Sequence, residues 1–144
     1  MGTHQDNCEV IIIGAGIIGL ALGAELSKQG REVIILESEN KTLQHASSHN
    51  SEVIHSGVYY ENDSLKAKLC VEGNILLYDY CNNNGIDFIR SGKLILAHNK
   101  EELLSIEQLQ NNAKKNEIIE AIILNKQDLL TIEPSVIAEY ALFI

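Results

Sequence analysis

The chain has 144 residues, enough for one domain with a real core, and 45% of them are apolar, as in a soluble globular protein. Eleven Lys and Arg against twenty Asp and Glu leave a net charge of −9, which argues against nucleic acid or an anionic membrane as a partner. An anionic cofactor is still allowed, because backbone dipoles can hold phosphate without lysines.

The N-terminus does not read as a leader: Asp6 and Glu9 stand where a secretory signal needs a basic region. The longest uncharged stretch, Val10 to Ala24, has fifteen residues, too few for a membrane span of about 20. These features point to the cytoplasm, and peripheral contact with a membrane is compatible with them.

Val10 to Ile13 is a β-branched apolar run, expected to be a parallel strand buried on both faces. Gly14-Ala15-Gly16-Ile17-Ile18-Gly19 follows at once and fits G-x-G-x-x-G. Gly14 allows the tight turn, Gly16 lets a pyrophosphate approach the backbone, and Gly19 lets the next helix lie close to the strand. That helix, expected over Ile17 to Gln29 with Gly30 as C-cap, aims its free N–H groups at the phosphates. A second strand, Val33 to Leu36, ends in Glu37, whose carboxylate can accept hydrogen bonds from ribose hydroxyls. The motif alone is weak, but here strand, helix and acidic residue are all present. A βαβ unit holding a dinucleotide is the expectation, with a plain βαβ turn as the alternative.

Residues 38 to 63 form the irregular part. Three histidines, His45, His49 and His55, fall within eleven residues, but spacings of four and six make no compact chelate. No metal is expected. No G-x-S-x-G elbow is present either, which argues against a serine nucleophile. The small hydroxyl and amide side chains here, including Ser47, Asn50 and Ser51, suit a flavin, since they can hydrogen-bond without crowding a planar ring.

Asp63 or Ser64 can cap a helix over Leu65 to Asn83, with Leu65, Leu69, Leu76 and Tyr80 near one face and Gly85 beyond its end. Cys70 and Cys81 on this helix lie on the order of 16 Å apart, too far for a disulfide. With an odd count of three and no C-x-x-C, reduced thiols are expected. Ile86 to Ile89 reads as a short strand and Lys93 to Ala97 as a better one. Asn99 with Glu102 forms a variant capping box before a helix that ends near Lys114 and Lys115. Ile118 to Leu124 is a strand, and Lys126 to Glu133 a short helix that Pro134 terminates. Ala141 to Ile144 is strand-like with no element after it, an exposed edge unless another segment pairs with it. The chain therefore reads as the front portion of a larger protein.

Gly14 to Gly19 with Glu37, then His49-Asn50-Ser51 and Val53-Ile54-His55-Ser56-Gly57-Val58-Tyr59-Tyr60, resemble the L-2-hydroxyglutarate dehydrogenases/oxidases. These are FAD-dependent oxidoreductases of the D-amino-acid-oxidase type. The resemblance continues through Ser64 to Cys70, Gly73-Asn74, Cys81, Gly85-Ile86, Ser91 to Ile95 and Glu133-Pro134, essentially the whole chain.

The resemblance implies an α/β fold with a Rossmann-like, doubly wound FAD-binding sheet over residues 1–90. It implies the start of a substrate-binding domain over 91–144, the family's remaining domains being absent. It implies FAD rather than NAD, held by Gly14, Gly16, Ile17, Gly19, Glu37, Ser47, Asn50, Ser51 and His55. The chemistry implied is oxidation of L-2-hydroxyglutarate, or a similar small 2-hydroxy acid, to the 2-oxo acid. His55 is the one base named from these residues, its alternative role being to position or covalently attach the flavin. Ser48 and Glu52 depart from the pattern, standing where the family usually has glycine. The chain is also shorter than family members, so inactivity in isolation is expected. The alternatives are a non-catalytic nucleotide-binding module and one subunit of a flavoprotein completed by a second chain.

Overall fold

The computed structural model describes residues 8–118 and 120–144. Asp6, used against a leader, and Ile119, within the expected strand at Ile118 to Leu124, lie outside them. The chain forms two compact units that divide between Val53 and Ile54.

In the first unit, β1 (Val10–Ile13) and β2 (Val33–Leu36) pair in parallel with Val10 opposite Val33 and Ile13 opposite Leu36. Helix α1 (Ile17–Lys28) joins them and ends with Gly30 in the left-handed region at φ 78°, one residue past the cap Gln29. The helix approaches the sheet through glycine. A Cβ on Gly23 would stand 2.8 Å from Ile35 Cδ1 and 3.5 Å from Ile12 Cδ1. This close approach buries Ile12 and half-buries Ile35. Within this unit β1 is covered on one face only, where both were expected to be buried. Alternation sends Ile11 and Ile13 to the other face with Ile34 and Leu36, and there Ile13 is 89% exposed.

The second unit is built on an antiparallel sheet of β3 (Leu94–Ala97), β4 (Ile122–Asn125) and β5 (Tyr140–Phe143) in the order β3-β5-β4. The apolar run at the chain end is thus the central strand rather than an edge. Ala141 and Leu142 are fully buried because neighbours pair on both sides of them. Helix α3 (Lys100–Lys115) packs Ile106 and Ala113 with Ala97, Leu142 and Val58. A separate cluster forms where α4 (Lys126–Ile132) sets Leu129 with Ala138 and Ala141. Successive residues of a strand face opposite ways, so Ala141 and Leu142 serve the two clusters.

Local signals set the helix ends. Ser64 caps α2 (Leu65–Asn84) by accepting from Ala67 N–H at 3.1 Å. Asn99 caps α3 through Glu102 N–H at 2.9 Å, while Glu102 reaches back to His98 N–H at 2.7 Å. Two readings are corrected. Ile86 to Ile89 forms no strand; Phe88 instead meets Tyr78 edge-on, ring centroids 5.1 Å apart. The α2 face carrying Leu65, Leu69, Leu76 and Tyr80 is exposed, and the helix buries Ala67 and Cys81 instead. All three cysteines are free.

Candidate functional site

The first unit builds an open groove of ≈ 580 Å³ between the end of β1, the glycine loop, the start of α1 and the segment 46–50. Gly14 takes φ +98°, where a side chain would be strained, and its N–H donates to Leu36 O at 2.7 Å. Gly19 is needed for a different reason: a Cβ there would fall 2.0 Å from Gly14 O. Only a residue without a side chain lets α1 begin this close to the turn.

Helix α1 has Gly16 as N-cap and no side-chain cap of its own. Ile17 N–H donates to Ser47 Oγ at 3.0 Å, a hydroxyl thirty residues away. Among the described residues, no group accepts from the N–H of Ile18 or Gly19. These first-turn donors, with the positive end of the helix dipole, form a place for an anion. A dinucleotide pyrophosphate fits this donor set. A Cβ on Gly16 would press within 3.0 Å of Ser47 Oγ, so the loop backbone is open only because glycine occupies it.

Glu37 is held at the loop. Its Oε2 accepts from Ala15 N–H at 2.6 Å, and its Oε1 from Glu39 N–H at 3.0 Å and Ser38 Oγ at 3.2 Å. The backbone N–H of Glu39, then that of Ala15, hold its carboxyl below the usual glutamate range against a smaller opposing desolvation. It is therefore a carboxylate with acceptor capacity left for hydroxyl donors.

The segment after β2 is tied to the loop by Leu43 N–H, which donates to Ala15 O at 2.9 Å. A short 3-10 turn, His45–Ser47, then presents Ser47. His45 Nε2 lies 3.1 Å from Glu39 Oε1, and His49 Nδ1 lies 2.9 Å from both Ser48 Oγ and His45 O. The described residues hold no cluster of three metal-ligating side chains. Asn50 lines the groove, but its amide is engaged locally, Nδ2 donating to Ser47 O at 3.1 Å and Oδ1 accepting from Glu52 N–H at 2.8 Å.

The groove therefore brings together Gly14, Gly16, Ile17, Gly19, Ser47 and Asn50, with Glu37 tied to its loop through Ala15. Ser51 is exposed and does not line it. His55 belongs to the second unit, its ring exposed and its carbonyl accepting from Asn74 Nδ2 at 3.0 Å. Sequence reasoning missed Ala15, which supplies both the Glu37 and the Leu43 contacts, and Gly23, which sets the helix–sheet distance. A small residue between two motif glycines, and a further glycine one turn after Gly19, are the signals that could have found them.

A family model described as FAD dependent oxidoreductase matches residues 9–144. The chain belongs to this family. Its cofactor is FAD, the nucleotide expected at the glycine loop. Over 135 residues the chain is 47% identical to a mitochondrial L-2-hydroxyglutarate dehydrogenase from Dictyostelium discoideum, covering 92% of this chain and 30% of the relative. The Homo sapiens protein of the same name is 39% identical over 128 residues, covering 88% of this chain and 28% of the relative. The chain thus spans under a third of the length of these relatives. Among solved structures, dithionite-reduced L-alpha-glycerophosphate oxidase from Mycoplasma pneumoniae with FAD bound is similar. It superposes with a TM-score of 0.78 at 30% identity, over 97% of this chain and 38% of that one. L-proline dehydrogenase from P. horikoshii, at 19% identity and a TM-score of 0.75, shares the fold. No helix among the described residues is long and apolar enough to cross a membrane.

Proposed function

We propose that this chain is part of an FAD-dependent oxidoreductase that converts L-2-hydroxyglutarate, or a similar small 2-hydroxy acid, to the 2-oxo acid. The observation that carries the reading is 39–47% identity to L-2-hydroxyglutarate dehydrogenases across nine-tenths of the chain, glycine loop included.

In this reading residues 1–90 serve the cofactor and 91–144 open the substrate-binding domain. The uncapped start of α1 meets the FAD pyrophosphate through backbone N–H groups, with the Ser47 hydroxyl beside it. Glu37 accepts from the adenosine ribose, and Asn50, Ser51 and His55 serve the pyrophosphate-to-flavin side. When bound, FAD supplies the acceptor for the hydride leaving substrate C2. The hydroxyl proton goes to a base, and His55 is the residue assigned that role. Most of the groups that grip the two carboxylates of such a substrate fall outside residues 1–144 in this reading. The proposed location is the cytoplasm, against relatives whose names call them mitochondrial.

Completion by a second chain, or a purely nucleotide-binding role, is the alternative. The face of β1 and β2 that α1 leaves bare in the first unit, with Ile11, Ile13, Ile34 and Leu36, is an apolar surface of the kind that further protein covers.

The test is the absorbance of the purified chain between about 350 and 500 nm, before and after acid precipitation. A flavin spectrum released by acid supports a non-covalent FAD site; colour kept in the pellet supports covalent attachment. Anaerobic bleaching by L-2-hydroxyglutarate supports the substrate. A folded, colourless chain that FAD cannot reconstitute overturns the claim of a working FAD site in this chain.

A further inference from the structure

The segment around His55 is fixed by asparagines that lie far from it in sequence. Upstream, His55 O accepts from Asn74 Nδ2 at 3.0 Å and from Cys70 Sγ at 3.5 Å, both on α2. Desolvation pushes the Cys70 thiol up, against the opposing field of Lys66, which keeps it an S–H donor at neutral pH. Downstream, Asn112 on α3 and Asn116 at its C-cap lie one helical turn apart. Asn112 Nδ2 donates to Val58 O at 2.8 Å and to Tyr60 O at 2.9 Å, and Asn116 Nδ2 donates to Tyr60 O at 3.1 Å. Asn62 closes the set, donating to Asn116 Oδ1 at 2.7 Å. Val58, between the two clamps, is buried in the core.

Amide clamps of this kind fix backbone direction more tightly than apolar contact, because each bond has a required angle as well as a distance. Neutral amides also hold a carbonyl without placing charge beside the residue they orient. The His55 side chain itself makes no hydrogen bond among the described residues, so the place from which it projects rests on the backbone that carries it.

We propose that Asn74 is a positioning residue that holds the His55 backbone and so sets where the His55 imidazole is presented, while Asn112 and Asn116 hold the same segment further on at Val58 and Tyr60. The role rests on the reading that His55 serves the flavin side of the site. Asn74 is the informative position, because it touches the His55 carbonyl directly and lies partly exposed on α2.

The experiment compares the purified chain with Asn74→Leu, His55→Gln and the double variant. The first readout needs no cofactor: histidine side-chain NMR, with His55→Gln identifying the His55 signal. Asn74→Leu is expected to move that signal towards its unfolded position while the other histidine signals stay. The second readout is FAD affinity, which Asn74→Leu is expected to weaken by about tenfold, the worth of one hydrogen bond. In the His55→Gln background the same change should have little further effect, since the residue acts through His55. If Asn74→Leu lowers only thermal stability, with the His55 signal unmoved, the positioning role is wrong. Equal loss of FAD affinity with and without His55 also overturns it. Failure of the unaltered chain to bind FAD counts against the proposed function instead, and the His55 signal then decides the positioning role alone. Asn74→Ser serves as second variant should leucine prevent folding.

Discussion

The Ala15 N–H donates to Glu37 Oε2 at 2.6 Å, joining the glycine loop to the end of β2 across 22 residues of sequence. One carboxylate thus braces the loop from below, and its second oxygen is held by the N–H of Glu39. The residue expected to read ribose is also the residue that keeps the loop in shape.

This double role predicts an acid-sensitive loop. The Glu37 carboxyl titrates lower in the folded chain than in the unfolded one. A depressed folded value means stability that is fully present above the ordinary glutamate value of about 4.3 and lost as pH falls below it. Urea unfolding followed against pH should show this loss. Glu37→Gln should flatten that part of the profile and weaken FAD binding even at neutral pH.

Glycine substitutions should divide sharply. Gly19→Ala sets a methyl on Gly14 O, so the helix start must move; a loss of about 3 kcal/mol and of FAD binding is expected. Gly73, inside α2, has nothing within 4 Å of its would-be Cβ. Gly73→Ala should stabilise by about 0.5–1 kcal/mol through helix propensity. Thermal melts of both variants check the pair.

The two departures from the family's glycine pattern predict opposite signs. Glu52 takes φ 54°, the left-handed region, which costs a side-chain-bearing residue about 1–2 kcal/mol. Glu52→Gly should relieve this, for a net gain of about 0.5 kcal/mol after the extra freedom of unfolded glycine. Ser48 sits at φ −99° and its hydroxyl donates to His45 O at 3.0 Å. Ser48→Gly should therefore destabilise, by about 1 kcal/mol. Denaturant midpoints for the two variants decide.

Asn116 is buried and holds three hydrogen bonds, two given and one received. Asn116→Leu takes one of two amide donors from Tyr60 O and one of two acceptors from Asn62, and a loss of about 1–2 kcal/mol is expected. Amide exchange at residues near Tyr60 should accelerate first, because the clamp acts there.

Much of this was legible because it is local. The glycine motif, the caps at Ser64 and Asn99, and the left-handed ends at Gly30 and Gly85 depend on residues within one or two turns of one another. Apolar runs located the strands at Val10, Val33 and Leu94 for the same reason, while the strand expected over Ile118 to Leu124 begins only at Ile122. The misread elements all turn on distant partners. Ile86 to Ile89 has strand composition, yet Phe88 packs against Tyr78, so no ladder forms. Leu65, Leu69, Leu76 and Tyr80 share a face, but smaller residues at Ala67 and Cys81 let α2 come closer on the other one. At the candidate site, Ser47 was chosen for its chemistry, and only the fold shows it capping α1.

The sequence by itself determined the βαβ unit, the glycine-capped helix start and the family. Each rests on glycine conformation and short-range hydrogen bonding, which a few adjacent residues specify. The tertiary structure alone decided that Tyr140–Phe143 is a central strand, that β1 is covered on one face, and that Asn74 and Asn112 hold the His55 segment. Those outcomes depend on which surfaces meet between stretches far apart in the chain, and packing at such separations leaves no period in the sequence.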